Sequence, residues 1–508
     1  MKDTDVIIVG AGPVGLMLAA ELRLAGVQPL VLERRPQPAE IPRANGLGGQ
    51  ILPLLHYRGL LDRFRAASTN PDPAPGFPFG GLNVDLSALT DPPIRAMQIP
   101  QPRVERLLDE RAAELGVEIR RGAQVVGVSQ DADTVTAEVQ GPDRTYRVSA
   151  RYLVACDGGR SRVREPAGIP FPGSVMPEVN RLAEVTVAES VTRLDNGDLD
   201  VPGLGRVRAG FTRTDDGVFA FGWLTSDVLL VSTTENELTE YDNDEPMTLA
   251  EFGASVRRVL GADVPLGEAR RLSRYQFQAR QAENYRAGRI LVAGDAAHLF
   301  PATGASMNAG LCDAVNLAWK LAADVQGWAP DGLLDTYHTE RHYAGARAML
   351  QARAQAALRR GHDAESDALR EVFRELLTDE QPMRRLGAHI AGTDLRYPTA
   401  RTDEHASTGT FAPDLDLRTE QGTTSVAALL HAARPVLLVL ADRPDLLDAA
   451  RAWKDRVDLV TAETDDRPAD ALLIRPDGYI AWAATADEPA DADAPAMREA
   501  LTRWFGRR

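Results

Sequence analysis

The 508-residue chain holds two cysteines, Cys156 and Cys312. Two thiols exclude a disulfide framework and a multi-cysteine zinc site, and they fit a reducing, cytoplasmic setting. No C-x-x-C is present to run thiol redox chemistry. Positive charge is in deficit: 57 Lys and Arg stand against 73 Asp and Glu, a formal net charge of −16. Nucleic acid binding needs a basic stripe that displaces counterions, and docking on anionic lipid needs a basic patch, so both are disfavoured. Long apolar runs are missing too. The uncharged stretch from Val6 to Ala20 is too short to span a bilayer. Acidic Asp3 and Asp5 precede it and no small-residue cleavage site follows, so a secretory signal is not expected.

What is present begins at the N-terminus. Asp5–Val9 reads as a buried parallel strand, Leu16–Ala25 as a helix ended by Gly26, and Pro29–Glu33 as a second strand. Between the first strand and the helix lies Gly10-Ala11-Gly12-Pro13-Val14-Gly15. In a dinucleotide-binding turn Gly10 permits the sharp bend, Gly12 lets the backbone approach a pyrophosphate, and Gly15 allows close helix–strand packing. Glu33 closes the second strand, where a carboxylate accepts from adenosine ribose hydroxyls; neighbouring Arg34 weakens the preference for an unphosphorylated ribose only slightly. The bland alternative, a glycine-rich turn that binds nothing, is outweighed by this strand–turn–helix context.

Short strands are expected through Tyr152–Ala155, then alternating apolar and polar residues from about Val175 to Phe277, the pattern of an antiparallel sheet with one covered face. Arg289–Ala293 returns to the first sheet, and helix formers dominate Asn308 to Thr378. The expected organisation is α/β: a Rossmann-like dinucleotide-binding domain (1–175 and 278–400), interrupted by a mostly antiparallel β-sheet domain (176–277), and a C-terminal α/β domain (401–508). The acidic, Pro/Ala-rich stretch Asp487–Ala496 reads as a flexible loop.

Two further turns follow strands: Cys156-Asp157-Gly158-Gly159-Arg160-Ser161, and Gly294-Asp295-Ala296-Ala297-His298, continuing as Leu299–Asn308. Each alone is unremarkable. In this order behind a dinucleotide turn, the set resembles the group A FAD-dependent monooxygenases, the aromatic hydroxylase family with the para-hydroxybenzoate hydroxylase-like fold. The resemblance covers about residues 1–390, and the last hundred resemble the thioredoxin-like tail of the subgroup acting on polyketides. It implies FAD with its adenine end on Gly10, Gly12, Pro13, Gly15 and Glu33, and with Arg34 and Arg43 nearby. Gln101 and Asp295 would meet the ribityl chain. Asp157 and Gly158 belong to a motif tied to both FAD and NADPH. Pro301, Gly304, Met307 and Asn308 would line the isoalloxazine. Many relatives carry P-x-G-G-Q-G-M-N there, whereas Thr303 and Ser306 replace glycines in this chain.

The implied reaction uses NADPH or NADH to reduce FAD. Molecular oxygen then forms a flavin C4a-hydroperoxide that hydroxylates a polycyclic, polyketide-type aromatic. Baeyer–Villiger oxygenation of a related ketone or quinone, and flavin binding without turnover, are the alternatives. No catalytic side chain is identified. Phe221 with Trp223, and Tyr275 with Phe277, share strand faces by period 2 and are the candidate walls of an aromatic substrate pocket. His338 and His342 lack a third ligand, so no metal is expected. A homodimer is the expected assembly.

Overall fold

The structure is a computed structural model that describes residues 3–38, 40, 44–236, 246–301, 304, 306–360, 363–399, 405–484 and 490–508. Its first sheet has six strands in the order Arg286–Ala287, Ile290–Val292, Tyr152–Ala155, Val6–Val9, Pro29–Glu33, Glu118–Arg121, all parallel except the first. Val6–Val9 and Tyr152–Ala155 are wholly buried, as unbroken β-branched and aliphatic runs require when helices cover both faces. Helix Pro13–Leu24 starts with Pro at its first position and packs against the long helix Ser306–Val325.

The second sheet runs Gly210–Thr214, Gly217–Trp223, Val228–Asn236, Gly173–Val187, Leu266–Gln281, His298–Leu299, all antiparallel. Its two longest strands reach across positions 175/176 and 277/278, so the two domains share them. The short His298–Leu299 edge also stitches this sheet to the first domain. Helix Leu249–Leu260 covers one face, capped by the Thr248 side chain and closed by Gly261 at φ 70°. Phe219, Phe221, Leu229, Val231, Phe252, Val256 and Val259 fill the space between.

The C-terminal domain is built on four strands in the order Asp458–Thr461, Val436–Val439, Ala471–Ile474, Ile480–Ala484, one pair parallel and two antiparallel, as expected of a thioredoxin-like unit. One expectation needs correcting. The stretch Asp487–Ala496 is not a loop throughout, because helix Ala490–Phe505 begins inside it. Alanine has the highest helix propensity and outweighs the proline signal here. Buried Asp493 accepts a 2.7 Å hydrogen bond from Arg443, and Met497, Leu501 and Phe505 enter the core. That core also takes Trp319 and Ala323 from helix Ser306–Val325, so the tail is packed into the molecule.

Two buried charge clusters fix this interface. Arg58 donates to Glu21 at 2.7 Å and to the carbonyls of Leu430 and Pro476. In the second, Arg475 lies between Glu340 and Asp477, Lys320 donates to Glu340 at 2.7 Å, and Asn316 joins both carboxylates at 2.8 Å. The Arg475 guanidinium also sits 4.5 Å from the Trp504 ring centre. Burial pushes the Glu340 carboxyl up, but Arg475 and Lys320 outweigh it and hold it down to about 2. The unfolded carboxylate takes up its proton near pH 4.5, so this contribution is full above that pH and is lost as pH falls toward 2. Acid unfolding monitored by circular dichroism should therefore lose part of its slope between pH 4.5 and 2 in Glu340→Gln.

Candidate active site

The three motif turns meet because their strands are neighbours. Val9 pairs with Ala155 and with Leu32, and Ala155 pairs with Val292. Gly10, Cys156, Ala293 and Glu33 therefore stand side by side at the carboxyl edge of a parallel sheet, the place where such folds bind dinucleotides.

Close approach explains the glycines. Gly10 has φ 105°, and a Cβ there would lie 2.4 Å from the Cys156 carbonyl oxygen. At Gly15 it would lie 2.0 Å from the Gly10 carbonyl oxygen. Gly12 differs: no atom lies within 4 Å of its Cβ position, so the backbone at the helix start is bare. Glu33 accepts from Ala11 N–H at 2.7 Å and Arg35 N–H at 2.9 Å, which fixes its carboxylate beside this turn. Arg34 is exposed. Gln101 donates to Glu105 at 2.7 Å, and Glu105 is buried near Glu33 and Arg35, its carboxyl pushed up by burial. Arg43 lies outside the described residues.

In the second turn, Asp157 accepts from Arg162 N–H at 2.8 Å through one oxygen. Its other oxygen is buried with no partner among the described residues, and burial pushes the carboxyl up. Gly158 adopts φ 88° with open space around it. In the third, Gly294 at φ 64° leads into exposed Asp295. Pro301 is buried. Gly304 at φ 91° places its Cβ position 3.3 Å from the Phe77 ring. Asn308 accepts from Gly48 N–H at 3.2 Å and donates to the Gly304 carbonyl at 2.7 Å, which pins the loop to the helix, while Met307 packs on the core. Thr303 lies outside the described residues.

The four aromatic candidates divide between the two sheet faces. Tyr275 and Phe277 sit edge to face at 5.3 Å, and Phe277 packs with Met176, Phe300 and Ala309 beside the loop. Phe221 and Trp223 turn the other way, into the core under helix Leu249–Leu260, where Trp223 donates to the Gly197 carbonyl at 2.7 Å. Period 2 puts the pair on one face, but that face is the one the helix covers.

The residues present fit FAD: a bare helix start at Gly12, an unpartnered buried oxygen on Asp157, open space at Gly158, and Asp295 exposed at the same edge. Residues 3–352 match the FAD binding domain family, and residues 405–508 match the family described as aromatic-ring hydroxylase, C-terminal. This chain belongs to the FAD-dependent aromatic hydroxylases. The hydroxylase is 43% identical to a 12-dehydrotetracycline 5-monooxygenase/anhydrotetracycline 6-monooxygenase of Streptomyces rimosus, over 99% of each chain. It is 40% identical to a dialkyldecalin synthase of Streptomyces rugosporus, over 100% of this chain and 99% of that one. A solved anhydrotetracycline hydroxylase from Streptomyces rimosus superposes with a TM-score of 0.88 at 41% identity, over 100% of both chains.

Three positioning residues of the hydroxylase escape sequence reading. Arg164 donates to the Ala296 carbonyl at 2.9 Å and to the Gly159 carbonyl at 3.0 Å, tying the second turn to the third, while Phe171 stacks 3.7 Å beneath it. Buried Asp313 accepts from Gly294 N–H at 3.0 Å, from His298 at 2.8 Å and from Arg341 at 2.7 Å. Burial raises the Asp313 carboxyl, but the charges and hydrogen bonds of His298 and Arg341 win and lower it. Arg341 passes on to the Tyr397 hydroxyl at 2.9 Å. Nothing local singles out Arg164 among the arginines after Gly159. Asp313 and Arg341 stand in helical sequence with no local sign of the partners they meet. Arg164→Leu removes two turn contacts worth about 1–2 kcal/mol together. FAD titration of the apoprotein should show about a tenfold weaker dissociation constant.

The two thiols lie near this crevice. Cys156 reaches within 3.4 Å of the Gly15 Cβ position. Burial raises its thiol well above the ordinary value, and raises Cys312 to about 11.

Proposed function

We propose that this chain hydroxylates a polycyclic aromatic of the polyketide type, consuming NADPH or NADH and molecular oxygen. The observation that carries the reading is the juxtaposition at the Phe300–Asn308 loop. The cofactor edge and the Tyr275–Phe277 aromatic wall meet there through Phe277, Phe300 and Ala309. Bound FAD, once reduced by the nicotinamide, supplies the activation of oxygen and the transfer of one atom to the ring. The protein's part is to bind and shield. The first turn accommodates the pyrophosphate, Asp313 and Arg164 hold the Gly294–Ala296 turn in place, and the aromatic wall excludes water. The relatives named for tetracycline hydroxylation give the substrate class. We further infer that the protein works in the cytoplasm; among the described residues no helix is long and apolar enough to cross a membrane.

The test is turnover of anhydrotetracycline with NADPH or NADH under air, followed by NMR of the product. An intact ring system bearing one new hydroxyl is expected. A ring-expanded lactone would indicate Baeyer–Villiger oxygenation instead. Conversion with no nicotinamide oxidised would likewise count against hydroxylation. Absence of substrate-stimulated nicotinamide oxidation with any polycyclic phenol tried would overturn the reading.

A further inference from the structure

Residues 401–508 contain no cysteine, so the thioredoxin-like unit contributes no thiol chemistry. Its contacts lead instead to the cofactor edge. Arg341, on helix Asp335–Arg360, is buried and donates in three directions. Nε reaches Asp313 at 2.7 Å, Nη2 reaches the Ala309 carbonyl at 3.1 Å, and Nη1 reaches the Tyr397 hydroxyl at 2.9 Å. Asp313 in turn holds Gly294 N–H at 3.0 Å and His298 at 2.8 Å. Arg341 and Asp313 therefore grip both ends of residues 294–309. That stretch carries Asp295, Pro301, Gly304, Met307 and Asn308, the residues expected along the ribityl chain and the isoalloxazine. The His298 ring also stacks on Phe300, 4.7 Å between centres and 21° from parallel, so the grip extends inward from the Gly294 end.

The third arm points the other way. Tyr397 is buried, and its ring lies 4.2 Å from that of Tyr479 in the C-terminal domain. Its N–H donates to the Gly409 carbonyl at 2.9 Å, and Gly409 N–H donates to the Ile480 carbonyl at 2.8 Å. The Arg475 guanidinium lies 5.5 Å from the Tyr397 ring centre. Tyr397 is thus seated by residues 475–480. The same turn reaches helix Ser306–Val325 a second time, where Asp477 accepts from Asn316 at 2.8 Å, one helical turn past Asp313. A buried guanidinium keeps its place only while acceptors surround it, because each unmet donor costs free energy. The Tyr397 hydroxyl is the acceptor supplied from the C-terminal side.

We propose that the C-terminal domain is a clamp on the cofactor site: through Tyr397 it fixes Arg341, and through Arg341 and Asp313 it holds residues 294–309 in the shape that receives FAD. Tyr397 and Arg341 are positioning residues, acting at one remove from the flavin.

Tyr397→Phe removes the hydroxyl and keeps the ring stack. Tyr57→Phe is the matched control. It removes a hydroxyl that donates to the Ala412 carbonyl at 2.6 Å across the same domain interface, in a separate core cluster. Both variants should melt a few degrees below wild type. In Tyr397→Phe alone, FAD should leave the holoenzyme about tenfold faster, read as flavin fluorescence recovered after dilution. Deuterium uptake by the peptide 293–299, which contains the Gly294 amide, should be about tenfold faster than in Tyr57→Phe. Tyr479→Leu keeps the hydroxyl but removes its seat, and should move both readouts the same way by less. Should Tyr397→Phe not fold, Tyr479→Leu against Tyr57→Phe decides on the same two readouts. Flavin release and uptake in Tyr397→Phe equal to those in Tyr57→Phe would overturn the clamp. Neither readout involves turnover, so the clamp stands or falls apart from the hydroxylation reading.

Discussion

A Gly15→Ala variant should purify colourless. Its new Cβ would lie 2.0 Å from the Gly10 carbonyl oxygen and 3.1 Å from the carbonyl carbon, both main-chain atoms of the turn itself. Ordinary contact begins near 3.4 Å, so the helix must lift from the strand and the turn must open. Over-packing of this kind costs roughly 1–3 kcal/mol when flexible side chains absorb it, and more against backbone. Gly12→Ala is the matched control. Its φ of −77° suits alanine and its Cβ position is empty, so the fold should melt as wild type does. FAD should nevertheless bind weakly, because the added methyl occupies the approach to the helix start. Flavin absorbance and melting temperature thus separate the two glycines. A Gly15→Ala protein with full flavin and an unchanged melting temperature would sink the packing argument.

The second large effect lies far from the flavin. Arg475→Met should destabilise the protein by about 3–5 kcal/mol, the usual cost of removing one partner from a buried ion cluster. Glu340 and Asp477 then face each other with only Lys320 to balance them, in a site where Arg475, Glu340 and Asp477 are each nearly inaccessible. Adding Asp477→Asn to the same chain should recover part of the loss, since the double variant leaves Glu340 paired with Lys320 and no stranded carboxylate there. Urea unfolding read at the tryptophans would measure both, with Trp319 and Trp504 flanking the cluster. A loss under about 1 kcal/mol in the single variant would mean the cluster is hydrated and the interface is held by packing alone.

Local signals were the readable ones. Each motif turn is dictated by residues within a short stretch, so its place at a strand end could be inferred from glycine spacing and apolar runs. Strands Pro29–Glu33, Tyr152–Ala155 and Ala471–Ile474 fall where the pattern puts them. What joins distant segments was illegible. Asn316 and Asp477 are 161 residues apart, and no periodicity links an asparagine in one domain to an aspartate in another. Phe221 and Trp223 show a related limit, since alternation tells which residues share a face and nothing about what covers it.

The raised thiols of half-buried Cys156 and Cys312 bear on how long such an enzyme survives its own work. Oxygen activation that fails to reach substrate releases peroxide inside the crevice, and thiolates are what peroxide attacks. With both sulfurs pressed toward the neutral thiol, and Cys156 just under the Gly10–Gly15 turn, the two cysteines offer little thiolate to attack. Wasted cycles should therefore cost nicotinamide and spare these two thiols.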